Sequence, residues 1–598
     1  MRIVVCCLLV AAFARLSNAA SRPNFVLIYT DDHGYADLSS QGVLSDIKTP
    51  QIDAMAAAGV RMTSGYSSAP QCVPSRAGLL TGKYQNRFGV ESNGVDLSGF
   101  DAEQTIAERL KKVGYATGMT GKWHLGSANE ITSHGFADVF YQGGAWTNFD
   151  FSGKTVPPGT RNREKYHIDA CSDSACAFVK RHANESFFLY VAYRAPHVPL
   201  DATEKYLKRF PGEMPQRRRQ ALAMLSAVDD GVGNILATLR ELELEESTLV
   251  FFIGDNGAPL KIHRLDAPGG GPGLDGSLNT PMNGEKGMLS EGGMRVPFVV
   301  QWKGKIQPGK VYDEPVIALD AAATICELAG CTETDSLDGK NLLPYLSGQK
   351  SGLPHAELYW RWTSQAAIRA GKWKLLRGAG REYLFDLEND VEEKHSVLSQ
   401  NRDIADSLRE RLRNWSGELE PPGLQTRAPG VAEKGYFDFY LDGLPAPPPR
   451  EKFTPQGKSK RKDARIQGWV ARGALSTQSE NALLIAPTEK PKTKPFIATA
   501  NLKLEGKFVV AVRSKHSEDG QIKIAWRTSK QKDFDAKQFV AIDCRRSDEF
   551  KTHEIKVNNQ ATAVHVRVIL PGGKSQIERI EITQAKSAPV NQWVFRKN

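Results

Sequence analysis

Asn24-Phe25-Val26-Leu27-Ile28-Tyr29-Thr30 is apolar at almost every position. A strand with one wet face would alternate, so a continuous run predicts a strand covered on both faces, as in the middle of a parallel sheet. It ends at Asp31-Asp32-His33-Gly34, where ligand groups belong. Thr49-Pro50-Gln51-Ile52-Asp53 then leads into Ala54 to Gly59, with a proline near a helix start and a glycine at its end. Similar apolar strands follow at Phe187 to Ala192, Ser247 to Ile253 and Pro297 to Gln301. The alternation predicts an α/β fold, a doubly wound mixed sheet flanked by helices.

From Ala356 the pattern changes. Leu358 to Trp362, Ala367 to Arg369, Trp373 to Leu376 and Tyr383 to Asp386 read as a small antiparallel sheet. The proline run Pro445 to Pro449 and the basic stretch Lys458 to Lys462 read as a linker. Beyond it Ile522, Ile524 and Trp526 alternate with Lys523, Ala525 and Arg527, and Ile555, Val557, Val564, Val566 and Val568 keep the same period of two. Short strands at that spacing predict an appended all-β sandwich, with either a carbohydrate-binding or a purely structural role. The resulting division is a leader over 1–20, a main α/β domain over 21–350, a subdomain over 351–440, a linker over 441–465 and the sandwich over 466–598.

The leader changes the compartment. Met1-Arg2, the apolar run Ile3 to Phe13 and the small residues Ser17-Asn18-Ala19 form a secretory signal with cleavage after Ala19 or Ala20. No later stretch approaches the roughly 20 apolar residues of a membrane helix. The expectation is a secreted or periplasmic protein with no membrane span. Export permits disulfides, and of the remaining cysteines the pairs Cys171 with Cys176 and Cys326 with Cys331 are spaced to close short loops, leaving Cys72 and Cys544. The formal charge of +10 suits an acidic polymer such as a sulfated polysaccharide better than nucleic acid in an exported protein, although a basic surface can equally be indifferent.

Four segments carry chemistry. Cys72-Val73-Pro74-Ser75-Arg76, followed by Leu80-Thr81-Gly82, is the first; Pro74 biases Val73 away from helix, so the segment reads as an extended peptide another enzyme can grip. A lone cysteine is otherwise a small buried thiol. Asp31-Asp32 and Asp255-Asn256 offer four oxygen donors that suit a hard divalent cation, Ca²⁺ or Mg²⁺, though Asn256-Gly257 alone is also a hairpin signal. In Gly121-Lys122-Trp123-His124-Leu125-Gly126 a strand would turn Lys122 and His124 to one side, a cation for an anionic ester beside an imidazole for a proton. Arg194-Ala195-Pro196-His197-Val198-Pro199 places a histidine in a rigid turn, and Gly284-Glu285-Lys286-Gly287 with Glu291-Gly292-Gly293-Met294-Arg295-Val296-Pro297 adds a second lysine.

These segments, in this order, resemble the formylglycine-dependent sulfatases of the alkaline-phosphatase superfamily, arylsulfatases and N-acetylgalactosamine-6-sulfatases among them. The appended domain is similar to those of secreted bacterial polysaccharide sulfatases. The resemblance runs from about Pro23 to Trp415 and implies a helix over Arg402 to Trp415 after the small sheet.

It also implies a site. Cys72 would be converted to formylglycine by a formylglycine-generating maturation enzyme. Asp31, Asp32, Asp255 and Asn256, with residue 72, would bind a cation, Ca²⁺ in preference to Mg²⁺. One hydroxyl of the hydrated aldehyde, made a better nucleophile by the metal and Arg76, would attack sulfur while His197 protonates the leaving oxygen. His124 would then deprotonate the remaining hydroxyl, so that the aldehyde re-forms and sulfate leaves. Lys122, Lys286 and Arg76 would hold charge on the sulfate oxygens, and Glu291 and Arg295 would organise their loop. The implied substrate is a sulfated carbohydrate. A phosphodiesterase or phosphonate monoester hydrolase of the same superfamily, and a non-catalytic glycan-binding relative, are the competing readings. Substrate choice is assigned to the loops 142–158 and 261–281, whose sequences match no motif.

Overall fold

The structure, a computed structural model, describes residues 22–141, 146–149, 155–161, 165–260, 276–425, 430–445 and most of 466–595. The leader, the linker beyond Pro445, and much of the loops 142–158 and 261–281 lie outside the described residues. The chain divides into two compact units, Met1–Lys452 and Phe453–Asn598.

The first unit is built on a 10-stranded mixed sheet. Asn24–Asp31 lies at its centre between Phe187–Pro196 and Thr248–Gly254, parallel to both, and Ala116–Gly121 runs parallel on the far side of Phe187–Pro196. Phe298–Gln301 adds an antiparallel strand next to Thr248–Gly254. Successive side chains of a strand point to opposite faces, and this strand divides accordingly. Phe25, Leu27 and Tyr29 enter one core with Leu79, Leu80, Leu110 and Ile325, whereas Val26 and Ile28 enter another with Ile52, Phe178 and Leu225. Each such buried side chain contributes about 1.5–3 kcal/mol. The carboxyl ends of four parallel strands are thereby fixed side by side, which lets a pair of adjacent acids be held out of water at one of them.

The four-stranded antiparallel sheet Glu357–Trp362, Gln365–Ala370, Trp373–Gly378 and Arg381–Asp386 follows, with the helix Arg402–Ser416 on it. Leu408, Leu412 and Trp415 pack with Trp360, Ile368 and Leu384. Among the described residues one helix, Gln216–Glu241, is long and apolar enough to cross a membrane by length and composition; its Leu222, Leu225, Val228 and Ile235 face the core of this unit.

The second unit is a β-sandwich. One sheet is ordered Trp469–Arg472, Phe496–Leu504, Ala563–Ile569, Gly520–Thr528, Phe539–Cys544, and the other contains Ala474–Gln478, Leu483–Pro487, Ser575–Gln584, Phe508–His516 and Lys551–Val557. Ile522, Ile524, Val566 and Val568 of the first meet Val510, Val512, Ile580 and Ile582 of the second.

The cysteine pairings do not form, and all six described cysteines are free. Cys171 and Cys176 lie on the helix His167–Arg181, where a spacing of five directs side chains to different sides. Cys171 Sγ meets Thr120 Oγ1 at 3.3 Å, while Cys176 bonds to Thr238 of the long helix. Cys326 and Cys331 touch through their thiols across the end of Leu319–Ala329 without a covalent link.

Candidate active site

Asp31 and Asp32 end the central strand, and Asp32 adopts a left-handed backbone, φ 59°. Asp255 and Asn256 directly follow Thr248–Gly254. Asp255 N donates to Thr30 O at 2.9 Å, and Asp32 N donates to Asp255 Oδ1 at 3.0 Å. Asp255-Asn256-Gly257 is therefore a strand exit into the site rather than a hairpin turn. Gly257 is required there, since a Cβ would fall 1.8 Å from Gly292 O.

Cys72 is the first residue of the buried helix Cys72–Thr81, so 72–76 is helical, not extended. Pro74 fits because the first turn of a helix needs no N–H donors of its own. Cys72 Sγ reaches to 4.0 Å from Asp32 Oδ1 with no exposed surface. Burial and the Asp31 charge push its thiol well up.

One turn on, Arg76 donates to Asp255 Oδ2 at 3.0 Å and to Tyr190 Oη and Lys122 O, both at 3.2 Å. Its guanidinium lies over the Tyr29 ring, whose hydroxyl is 2.6 Å from Ser75 Oγ. The Tyr29 ring and Tyr190 Oη hold the guanidinium, and Ser75 steadies Tyr29; none of the three was given a role from the sequence. Their apolar strands and the motif itself hid them.

Gly121 ends its strand, so Lys122 and His124 occupy a loop, and His124 takes a left-handed φ of 64°. They are not strand neighbours on one face. Lys122 N is tied to Ala192 O at 2.8 Å and its Nζ to Asp31 Oδ2 at 2.5 Å. His124 opens on solvent, while packing on its inner side and the Lys122 ammonium draw its pKa down to about 3. His197 Nδ1 donates to Val198 O at 2.6 Å, which leaves Nε2 facing Asp32 Oδ2 at 3.7 Å. Lys286, only 1% exposed, reaches the Asp32 carboxylate at 2.9 Å.

The loop bearing Lys286 is braced from two sides. Glu291 accepts from Tyr66 Oη at 2.6 Å and Lys374 Nζ at 2.8 Å, and pairs with Arg295 at 3.3 Å. Burial would raise Glu291, but Lys374 and Arg295 outweigh it and hold its carboxyl down to about 2. On the other side Tyr440 Oη donates to the buried Glu285, and Asn283 Nδ2 donates to Tyr440 O at 2.7 Å. Nothing in the local sequence pointed to Tyr440, since that contact spans 155 positions.

The residues present fit a hard cation. Asp31, Asp32, Cys72 and His197 offer ligand atoms within 4.8 Å of one another, and Asp255 and Asn256 adjoin them. Asp31 Oδ1 and Asn256 Oδ1 are buried without a hydrogen-bond donor, which a protein rarely leaves so. Burial and the Asp31 charge push Asp255 well up, while, against burial, Lys122, His197 and Arg76 hold Asp31 well down, so the adjacent carboxylates differ in their hold on protons.

This geometry has relatives. Residues 23–331 match the family model described as Sulfatase, and 284–418 match that of the N-sulphoglucosamine sulphohydrolase C-terminal region. The chain belongs to the sulfatase family. It is accordingly a sulfuric ester hydrolase by family. The sulfatase is 32% identical over 399 residues to human N-acetylgalactosamine-6-sulfatase, covering 58% of this chain and 73% of the relative. It is 32% identical to an arylsulfatase of Hemicentrotus pulcherrimus, covering 59% and 67%. Among solved structures, Ps i-CgsB in complex with k-i-k-neocarrahexaose superposes with TM-score 0.59 at 29% identity, over 71% of this chain and 98% of that one.

Proposed function

We propose that this sulfatase removes sulfate from a sulfated sugar, using a nucleophile derived from Cys72 and a divalent cation held by Asp31, Asp32, Asp255 and Asn256. The observation that carries the reading is the helix start that sets Cys72 Sγ 4.0 Å from Asp32, with Arg76, Lys122, Lys286 and His197 gathered around the same carboxylates. A thiol raised by burial is a poor nucleophile near neutral pH. Conversion to formylglycine supplies a hydrated aldehyde in its place. The cation, when bound, supplies Lewis acidity toward oxygen, and the resemblance favours calcium over magnesium.

The remaining work falls to this chain's side chains. Lys122, Lys286 and Arg76 bring three positive charges to a dry site, where they oppose negative charge growing on sulfate oxygens. His197, its Nδ1–H engaged by Val198 O, presents Nε2, and in the imidazolium form it gives the Nε2 proton to the leaving oxygen and returns to the neutral ring. The resemblance assigns His124 the proton of the hydroxyl left on residue 72. The relatives, an N-acetylgalactosamine-6-sulfatase and a protein solved with a neocarrahexaose, support a sugar as the carrier of the sulfate. The leader supports secretion or a periplasmic location. Because Cys72 has no exposed surface in the fold, a maturation enzyme has to act before folding is complete.

The test has two readouts on protein made with a competent maturation system: the mass of the tryptic peptide Met62 to Arg76, and sulfate release from a panel of sulfated glycans. Aldehyde at position 72 with sulfate release is expected. Unconverted cysteine beside a converted control sulfatase, or a converted enzyme that hydrolyses only phosphonate monoesters, would overturn the reading.

A further inference from the structure

The charge of the chain is unevenly placed. Residues 453–598 carry 28 Lys and Arg against 14 Asp and Glu, while the first 452 hold more acids than bases. This unit lies beyond both matched family regions, which end at residue 418. Its positive excess is the footprint of a polyanionic partner, and one face shows where such a partner fits.

The five-stranded sheet turns Ile522, Ile524, Val566 and Val568 inward, so Phe496, Lys523, Arg567 and Phe539 point outward by strand alternation. Arg567 stands between Ala498 and Ala525 on the neighbouring strands, so no large side chain flanks it across the ladder. Its guanidinium lies 3.7 Å from the Phe534 ring centre and 4.8 Å from that of Phe496. Lys523 Nζ lies 4.8 Å over Phe539, which is 41% exposed. Arg472 is exposed at the edge of the same sheet.

We propose that this face binds an anionic glycan, the aromatic rings packing against the apolar faces of sugar rings while Arg567 and Lys523 pair with sulfate groups. Aromatic rings hold a cation in place without occupying its hydrogen-bond donors. A guanidinium matches a tetrahedral oxyanion with two parallel donors. The acidic neighbour of Arg567, Asp533 at 3.8 Å, is 87% exposed, so that pair is weak competition for a sulfate. A neutral glycan would give the cations nothing to pair with. The choice of sulfated sugar rests on the proposed function, but binding here needs no turnover.

The experiment uses the full chain as the Cys72→Ala variant, so that no ligand is consumed, in affinity electrophoresis through gels containing dextran sulfate, unsulfated dextran or double-stranded DNA. Retardation by dextran sulfate alone is expected, and adding Lys523→Ala with Phe539→Ala should weaken it by about two- to fivefold, the worth of one exposed cation–aromatic site. Both residues are on the surface, and in a chain with Cys72 intact the same pair of changes should leave turnover of p-nitrophenyl sulfate unaltered. Equal retardation of parent and double variant, or equal retardation by unsulfated dextran or DNA, would overturn the proposal. A chain that binds dextran sulfate through this face but releases no sulfate would uphold it while removing the proposed function.

Discussion

Lys286 Nζ lies 2.9 Å from the Asp32 carboxylate, with both side chains within 2% of full burial. A buried charge without its partner is costly, about 3–5 kcal/mol. The cation proposed for this site would compete with Lys286 for the same carboxylate. Lys286→Met should therefore lower stability strongly in EDTA and much less in excess Ca²⁺, because the cation then compensates Asp32. Thermal melts of parent and variant in both buffers measure it. An equal loss in the two would remove Asp32 from the cation site.

His124 makes stability depend on pH. Its folded pKa of about 3 lies below the ordinary value of about 6.5. Between these values the unfolded chain binds a proton that the folded chain refuses, so stability rises with pH. The full stability is present above about pH 6.5 and is lost progressively as pH falls toward 3. His124→Gln should flatten part of the slope of melting temperature against pH between 4 and 7. A variant with an unchanged slope would contradict the assignment.

Much of this was legible in the sequence, for definable reasons. Continuous apolar runs located the central strands, and Phe187–Pro196 and Thr248–Gly254 differ from the expected spans only at their ends, where polar site residues replace the pattern. Alternation found the sandwich. What misled was local reasoning about positions decided by tertiary context: Pro74 within the first helical turn, Lys122 and His124 beyond the end of their strand, and Cys171 and Cys176 around one helix. Tyr29 and Tyr190 read as core, which they are, while the Tyr29 ring and the Tyr190 hydroxyl also hold Arg76 in place.

Lys374 is the hub of a second buried cluster, with Nζ 2.8 Å from Glu291 and 2.9 Å from Glu393 and all three side chains fully buried. Burial pushes Glu393 up to about 7, and Lys374 does most to hold Glu291 down against the same effect. Lys374→Met should cost about 3–5 kcal/mol at pH 7, since two carboxylates lose their cation. In the variant both carboxyls gain affinity for protons, so the folded state binds more of them and the deficit should shrink between pH 7 and 5. Denaturant titrations at the two pH values decide this; a deficit independent of pH would mean the lysine acts by packing alone.

The segment Val431–Tyr436 and the turn Phe437–Leu441 reach the loop of Lys286 from outside both matched family regions. Tyr440 Oη donates to Glu285 Oε1 at 3.2 Å, and the Leu260 amide donates to the other oxygen of that carboxylate. Tyr436 Oη stands where it would lie 2.9 Å from a Cβ at Gly287. The segment is in turn fixed by Arg381, which pairs with Asp438 and Asp442, and by Tyr383 Oη donating to Asp442 at 2.7 Å. Gly284 to Gly287 is thus clamped on both sides of Lys286, and the clamp acts on where the ammonium sits rather than on substrate. Tyr440→Phe keeps the ring and removes one hydrogen bond, a stability change of about 1 kcal/mol. Small displacements of a charge-stabilising group cost rate steeply, so kcat/KM for an aryl sulfate should fall by about tenfold or more. Steady-state kinetics beside a melting curve separate the two effects. A variant that loses melting temperature but keeps its full kcat/KM would show that Tyr440 only holds the fold together.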